Sequence, residues 1–204
     1  GQYCGIRISA TTSTTIGGNS AADRNYISGN NQDGVILEMA GTNTNVVKGN
    51  YIGVSKTSGT FLTGSSQDWG VYINQGPNNN TIGGNGTSGE GNVISGNTWM
   101  GICISGSPSS TGNVIRGNYI GPAADGLTSL GGSAQVFGIW LERATNTTIG
   151  GSTAADRNVI SANSTQGANY GIGITDYLGS TASTGTVIKG NYIGTDKDGT
   201  GYIT

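Results

Sequence analysis

The stretch NVVKGNYIG (residues 45–53) returns as NVIRGNYIG (113–121) and again as TVIKGNYIG (186–194). A catalytic motif is needed once, whereas a phrase written three times in 204 residues belongs to the architecture. The segments between the copies repeat as well. TTIGGNSAADRNYISGN (14–30) reappears as NTIGGNGTSGEGNVISGN (80–97) and TTIGGSTAADRNVISAN (147–163). Measured from Ile16 to Ile82 to Ile149, the long period is 66–67 residues.

Each long repeat divides into two halves, and each half opens on a Gly-apolar-x-apolar segment. The opening glycines are Gly5, Gly34, Gly70, Gly101, Gly138 and Gly171. A second short apolar run is centred on Ile16, Val47, Ile82, Ile115, Ile149 or Ile188, and a third on Ile27, Ile52, Ile94, Ile120, Ile160 or Ile193. Runs this short, rich in β-branched residues and bounded by Gly, Asn and Ser, read as strands and tight turns. Three strands per half and six halves predict an all-β chain: a single right-handed parallel β-helix domain over 1–204, of about six coils.

Alternation assigns the faces of the first strand. Ile6/Ile8, Val35/Leu37, Val71/Ile73, Ile102/Ile104, Ile139/Leu141 and Ile172/Ile174 point inward. The column between them, Arg7, Ile36, Tyr72, Cys103, Trp140 and Gly173, varies freely and points out. The same rule assigns Trp69, Met100, Phe137 and Tyr170, just before the opening glycines, to the core. One polar column is uniform: Asn25, Asn50, Asn92, Asn118, Asn158 and Asn191 open every third strand. Stacked asparagines can pass hydrogen bonds from one amide to the next while satisfying turn backbone. Asn30, Asn97 and Asn163 form a sparser second column.

This phrasing, NVISGN followed by a Gly-apolar strand and GNYIG, resembles the right-handed parallel β-helix repeats of the pectate-lyase-like superfamily. It is most similar to the long repetitive secreted or cell-surface proteins of bacteria and archaea. The resemblance spans the whole chain and implies the fold. It leaves function open, because the fold hosts lyases, hydrolases, adhesins and structural rods.

Composition narrows that choice. Charged residues make up 10%, glycines number 39, and the formal net charge is −2. No basic stripe is present to neutralise phosphates, which argues against nucleic acid, and no apolar run approaches a membrane span. Abundant Thr and Asn with only two cysteines fit an extracellular or cell-surface protein. The complete absence of histidine removes the usual general base near neutral pH.

The carboxylates are dispersed. Glu38 and Glu142 lie three coils apart, about 14 Å at the strand spacing, too far for the carboxyl pair of a glycosidase. Glu142 and Asp176 occupy neighbouring coils and are the one pair the register lets approach, with solvated surface carboxylates as the plainer reading. Asp23 and Asp156 in the repeated AADRN loops suggest a turn tethered by Arg24 and Arg157. Asp196 and Asp198 in DKDG (196–199) offer a sparse calcium loop, with an ordinary β-turn as the alternative; no other cofactor is implied. Cys4 and Cys103, on coils one and four, are too distant for a disulfide. Tyr72, Trp99 and Trp140 are the aromatics expected outside, where they can stack on sugar rings or pack against a protein.

Neither end carries a recognisable cap. Counting from Gly171 through Thr204 and on to Gly5 of a following copy gives 38 residues, close to the longest internal steps. The chain, opening on Gly1 without a leader, therefore reads as a window of a longer array or as a unit that associates with itself, head to tail or laterally. The sequence leans away from an enzyme. It favours a rigid extracellular rod of a surface protein, fibre or sheath, with a polysaccharide lyase or hydrolase and a glycan-binding adhesin module as alternatives.

Overall fold

The computed structural model describes residues 1–56, 66–84, 89–130, 135–163, 169–176 and 182–203. Among the described residues, eighteen of twenty strands fall into three parallel sheets of six, each pairing a strand with its counterpart one repeat-half away, and Ser110–Thr111 pairs with Ala144–Thr145 in a small two-stranded parallel sheet. The first sheet is built from Cys4–Ser9, Asp33–Glu38, Trp69–Asn74, Met100–Ser105, Phe137–Glu142 and Tyr170–Thr175. The second contains three-residue strands from Thr15–Gly17 to Val187–Lys189, and the third two-residue strands from Tyr26–Ile27 to Tyr192–Ile193. The chain is thus a parallel β-solenoid, with one strand of each sheet per coil.

The register is the one the repeat dictates. Ile6 pairs with Val35, Val35 with Val71, Val71 with Ile102, Ile102 with Ile139, and Ile139 with Ile172. Identical columns from the three sheets meet on the axis, so the core is a stack of aliphatic layers including Leu37, Ile52, Ile82, Ile104, Ile120 and Ile149. A single coil cannot bury its two or three layers of side chain, so each depends on the coils above and below.

Side-chain amides line the corners. In the expected column, Asn25, Asn50, Asn92, Asn118 and Asn158 each donate through Nδ2 to Oδ1 of the next asparagine at 2.9–3.1 Å, ending on Asn191. The second column is continuous rather than sparse, because glutamines fill the remaining coils. Its amides run Gln2, Asn30, Gln67, Asn97, Gln135, Asn163, joined at 2.6–2.8 Å. A third, shorter ladder links Asn45, Asn80 and Asn113. Most ladder amides are buried, and they satisfy turn carbonyls and N–H groups that would otherwise be buried unpaired.

The opening glycines are required by close approach. A Cβ on Gly34 would stand 2.6 Å from both the Gly70 carbonyl oxygen and Ile52 Cγ2, and one on Gly70 would stand 2.4 Å from Ile94 Cγ2. The Cβ direction at these glycines is therefore inward, toward the core isoleucines of the third sheet. They are also skipped in the pairing, which passes from Met100↔Trp69 to Ile102↔Val71. Two successive residues, Gly and the following aliphatic, face the core as at a β-bulge. The residue before each glycine is thereby turned outward.

Candidate ligand-binding face

That turn corrects one expectation. Trp69, Phe137 and Tyr170 lie on the outer surface of the first sheet, not in the core, and Met100 is buried among the aromatics outside the aliphatic stack. The outer face carries three columns. Cys4, Asp33, Trp69, Met100, Phe137 and Tyr170 form the first; Arg7, Ile36, Tyr72, Cys103, Trp140 and Gly173 the second; Ser9, Glu38, Asn74, Ser105, Glu142 and Thr175 the third.

The aromatic residues of these columns gather in two clusters. Trp69 stacks on Tyr72 with ring centroids 4.8 Å apart, and the Tyr72 hydroxyl is 3.1 Å from Ser105 Oγ. Phe137 contacts Trp140 at 4.8 Å, Tyr170 at 5.8 Å and Trp99 at 6.4 Å. Tyr72, Trp99 and Trp140 thus share one face, with Trp99 and Tyr170 its most exposed members. Trp140 lies over Gly173, whose Cβ position is 2.6 Å from Trp140 Cε3. The glycine lets the indole lie flat against the strand.

At the first-coil end of this face is a cleft of about 440 Å³, lined by Tyr3, Arg7, Asp33, Glu38, Trp69 and Tyr72 among others. Arg7 and Glu38 form an ion pair across it. Asp33 is 1% exposed, and its Oδ1 has no hydrogen-bond partner among the described residues. Burial, with the neighbouring Asp68 and Glu38 charges adding to it, pushes its carboxyl up to about 7. Trp69, the register partner of Asp33 on the next strand, has a buried indole N–H that also has no partner among the described residues. One lining residue therefore offers an unused acceptor and its neighbour an unused donor. Together they suit a hydroxyl group, which can give one hydrogen bond and take another.

Sequence reasoning missed Asp33 because strict alternation placed its column inside. A charged residue in a supposed core column was the signal that the column faced out. Glu38 and Asp33 are five residues apart on one strand, about 16 Å between Cα atoms when extended. That spacing suits a binding cleft better than the closely set carboxyl pair of a glycosidase.

The remaining candidate carboxylates lie away from this cleft. Thr175, not Asp176, is the register partner of Glu142; Asp176 is exposed beyond the strand end, and no ion pair or hydrogen bond joins the two. Asp196 Oδ1 accepts the Asp198 and Thr200 backbone N–H groups at 3.1 Å, and Asp198 pairs with Lys197, as in a tight turn. The Asp–Arg tether in the AADRN loops is replaced by another arrangement. Asp23 accepts the Ser20 N–H and hydroxyl, and Asp156 those of Thr153, which hold both carboxyls below their usual range. Arg24 and Arg157 instead lie over Tyr51 and Tyr192. Cys103 is buried under the aromatic layer and Cys4 is half-buried; both thiols are free.

Comparison with protein-family models, with curated proteins and with solved structures gave no match.

Proposed function

We propose that this chain is a structural and interaction element: a rigid extracellular rod, part of a surface protein, fibre or sheath. The observation that carries this reading is the unbroken register through the coils. Three parallel sheets and two amide ladders each take one member from every coil, so each coil is braced by its neighbours along the whole stack. The repeat devotes its uniform positions to this bracing, as a rod requires, and leaves the outward column of the first sheet free to vary.

Antibody labelling of intact source cells, read beside small-angle X-ray scattering of the chain, tests the reading. The antibody is expected to mark the cell surface, and the scattering to fit one rigid particle. Label confined to broken cells, or scattering from a flexible chain, removes the proposal.

A second reading, a glycan-binding face, draws support from the cleft holding Asp33 and Trp69. Neutral oligosaccharides entering it are expected to change Trp69 fluorescence, and Asp33→Ala is expected to abolish the change. Unaltered emission across a panel of neutral oligosaccharides would set this reading aside.

A further inference from the structure

The opposite side of the solenoid carries a second, chemically different groove. It has a volume of about 450 Å³, and its lining includes Arg24, Arg157, Lys197, Tyr51 and Tyr119 but, among the described residues, no carboxylate. Its origin is legible in the repeat. In coils one and five the residue before the ladder asparagine is arginine, Arg24 and Arg157, and in coil three it is Gly91. Arg24 sits 4.1 Å above the Tyr51 ring and Arg157 4.0 Å above the Tyr192 ring. Tyr119, the corresponding tyrosine of the middle repeat, has no such arginine above it. The missing side chain leaves a trough floored by Gly84, Gly89, Gly91 and Gly117 between two fixed guanidinium groups.

Charge accounting shows what the trough lacks. Each arginine uses Nε to hold a backbone carbonyl, Gly49 for Arg24 and Gly190 for Arg157. Their terminal nitrogens make no hydrogen bond or ion pair among the described residues. The surrounding acids are engaged elsewhere: Asp23 with Ser20, Asp156 with Thr153 and Arg116, Glu90 with Lys48, and Asp198 with Lys197. Stacking on tyrosine orients each guanidinium and leaves its two-pronged edge open. That edge matches the planar or tetrahedral oxygens of a carboxylate or sulfate.

The geometry points to a binding site for an acidic polysaccharide, whose carboxylate or sulfate groups engage Arg24 and Arg157 while the sugar rings between them lie in the glycine-floored trough against Tyr119. Four strand spacings separate the two arginines, about 19 Å, so the ligand is an oligomer rather than a single anion. Two clamps this far apart are too sparse for nucleic acid, whose phosphates follow every few ångströms along each strand. The net charge of −2 gives no general attraction for polyanions, so binding depends on the site itself.

Calorimetric titration with a heparin-derived oligosaccharide and an alginate oligomer tests the inference, with maltoheptaose, inorganic sulfate and single-stranded DNA as comparison probes. At least one acidic oligosaccharide is expected to bind, and to weaken as salt is added, while the comparison probes bind at least tenfold more weakly. Arg24→Gln and Arg157→Gln are each expected to reduce affinity about tenfold, and Arg143→Gln, the same charge change just past a first-sheet strand, to leave it unaltered. In the wild-type chain the Nε–H resonances of Arg24 and Arg157 are expected to shift on titration while that of Arg143 stays in place; this readout holds even if a variant misfolds. Failure of both acidic oligosaccharides to bind, equal loss with Arg143→Gln, or DNA binding as tight as the oligosaccharides would overturn the assignment.

Discussion

Asn50 directs two donors at one atom: its backbone N–H and its side-chain amide both reach Asn92 Oδ1, at 3.0 and 3.1 Å. Asn92 does the same to Asn118, and Asn118 to Asn158. Each asparagine also donates to core-strand carbonyls, as Asn92 does to Val47 O at 2.8 Å. Replacing Asn92 by alanine therefore orphans several buried groups at once. We expect a loss of about 3 kcal/mol or more in urea unfolding, since each buried unsatisfied group costs about 1–3 kcal/mol. Asn25→Ala, at the exposed end of the ladder, is expected to cost about 1 kcal/mol. Equal, small losses for the two would remove the ladder as a source of stability.

The same column logic separates two isoleucines of identical sequence context. Ile120 and Ile193 both occur in GNYIG, yet Ile120 is fully buried and Ile193 is half exposed. Truncating Ile120 to alanine is expected to cost about 2–5 kcal/mol, as for other closed cores. Ile193→Ala is expected to cost about 1 kcal/mol or less, because about half of the side chain is already exposed. Chemical denaturation distinguishes the two; equal costs would show that burial in the column does not set the cost.

Asp33 gives stability a pH dependence of defined sign. Its folded-state value of about 7 lies above the ordinary 3.8, so between these limits the folded chain holds a proton that the unfolded chain has released. Stability contributed by the neutral carboxyl is complete below the lower limit and falls as pH rises toward the upper one. Asp33→Asn retains a neutral side chain at every pH. The melting temperature of the variant minus that of the wild type is expected to increase from pH 4 to 7 and level off above about 7. A difference that does not change with pH would show that Asp33 is ionised throughout.

Thiol chemistry reports on the outer aromatic layer. Burial pushes the Cys103 thiol up to about 12, and the half-buried Cys4 is also raised, though less. Native protein at pH 8 is expected to release at most one equivalent of thionitrobenzoate from Ellman's reagent, from Cys4, and two after denaturation. Rapid reaction of both thiols in the native state would show that Cys103 is open to solvent.

The parts legible in the sequence are those where every coil uses the same residue type. Ile, Val and Leu recur in the inward columns, and asparagine opens all six third strands, so both the strand register and the first ladder could be read directly. The second ladder was half hidden because it alternates in both residue type and offset. Gln2, Gln67 and Gln135 stand three residues before the opening glycine, and Asn30 and Asn97 four; the extra methylene of glutamine offsets the shift along the chain. Trp69 was misplaced, and Asp33 overlooked, because a glycine that faces the core breaks period-two alternation, an effect of backbone pairing that side-chain pattern alone does not reveal. The cationic groove needed the structure too. The arginines are plain in the repeat, but their stacking on tyrosines of the next coil depends on how loops of successive coils overlap.

The most direct test of the stacking account is solution NMR of the ladder side chains. The account predicts nuclear Overhauser contacts from the Asn92 side-chain amide to both Asn50 and Asn118, its partners one coil away on either side. Contacts from Asn92 only to residues near it in sequence would contradict it.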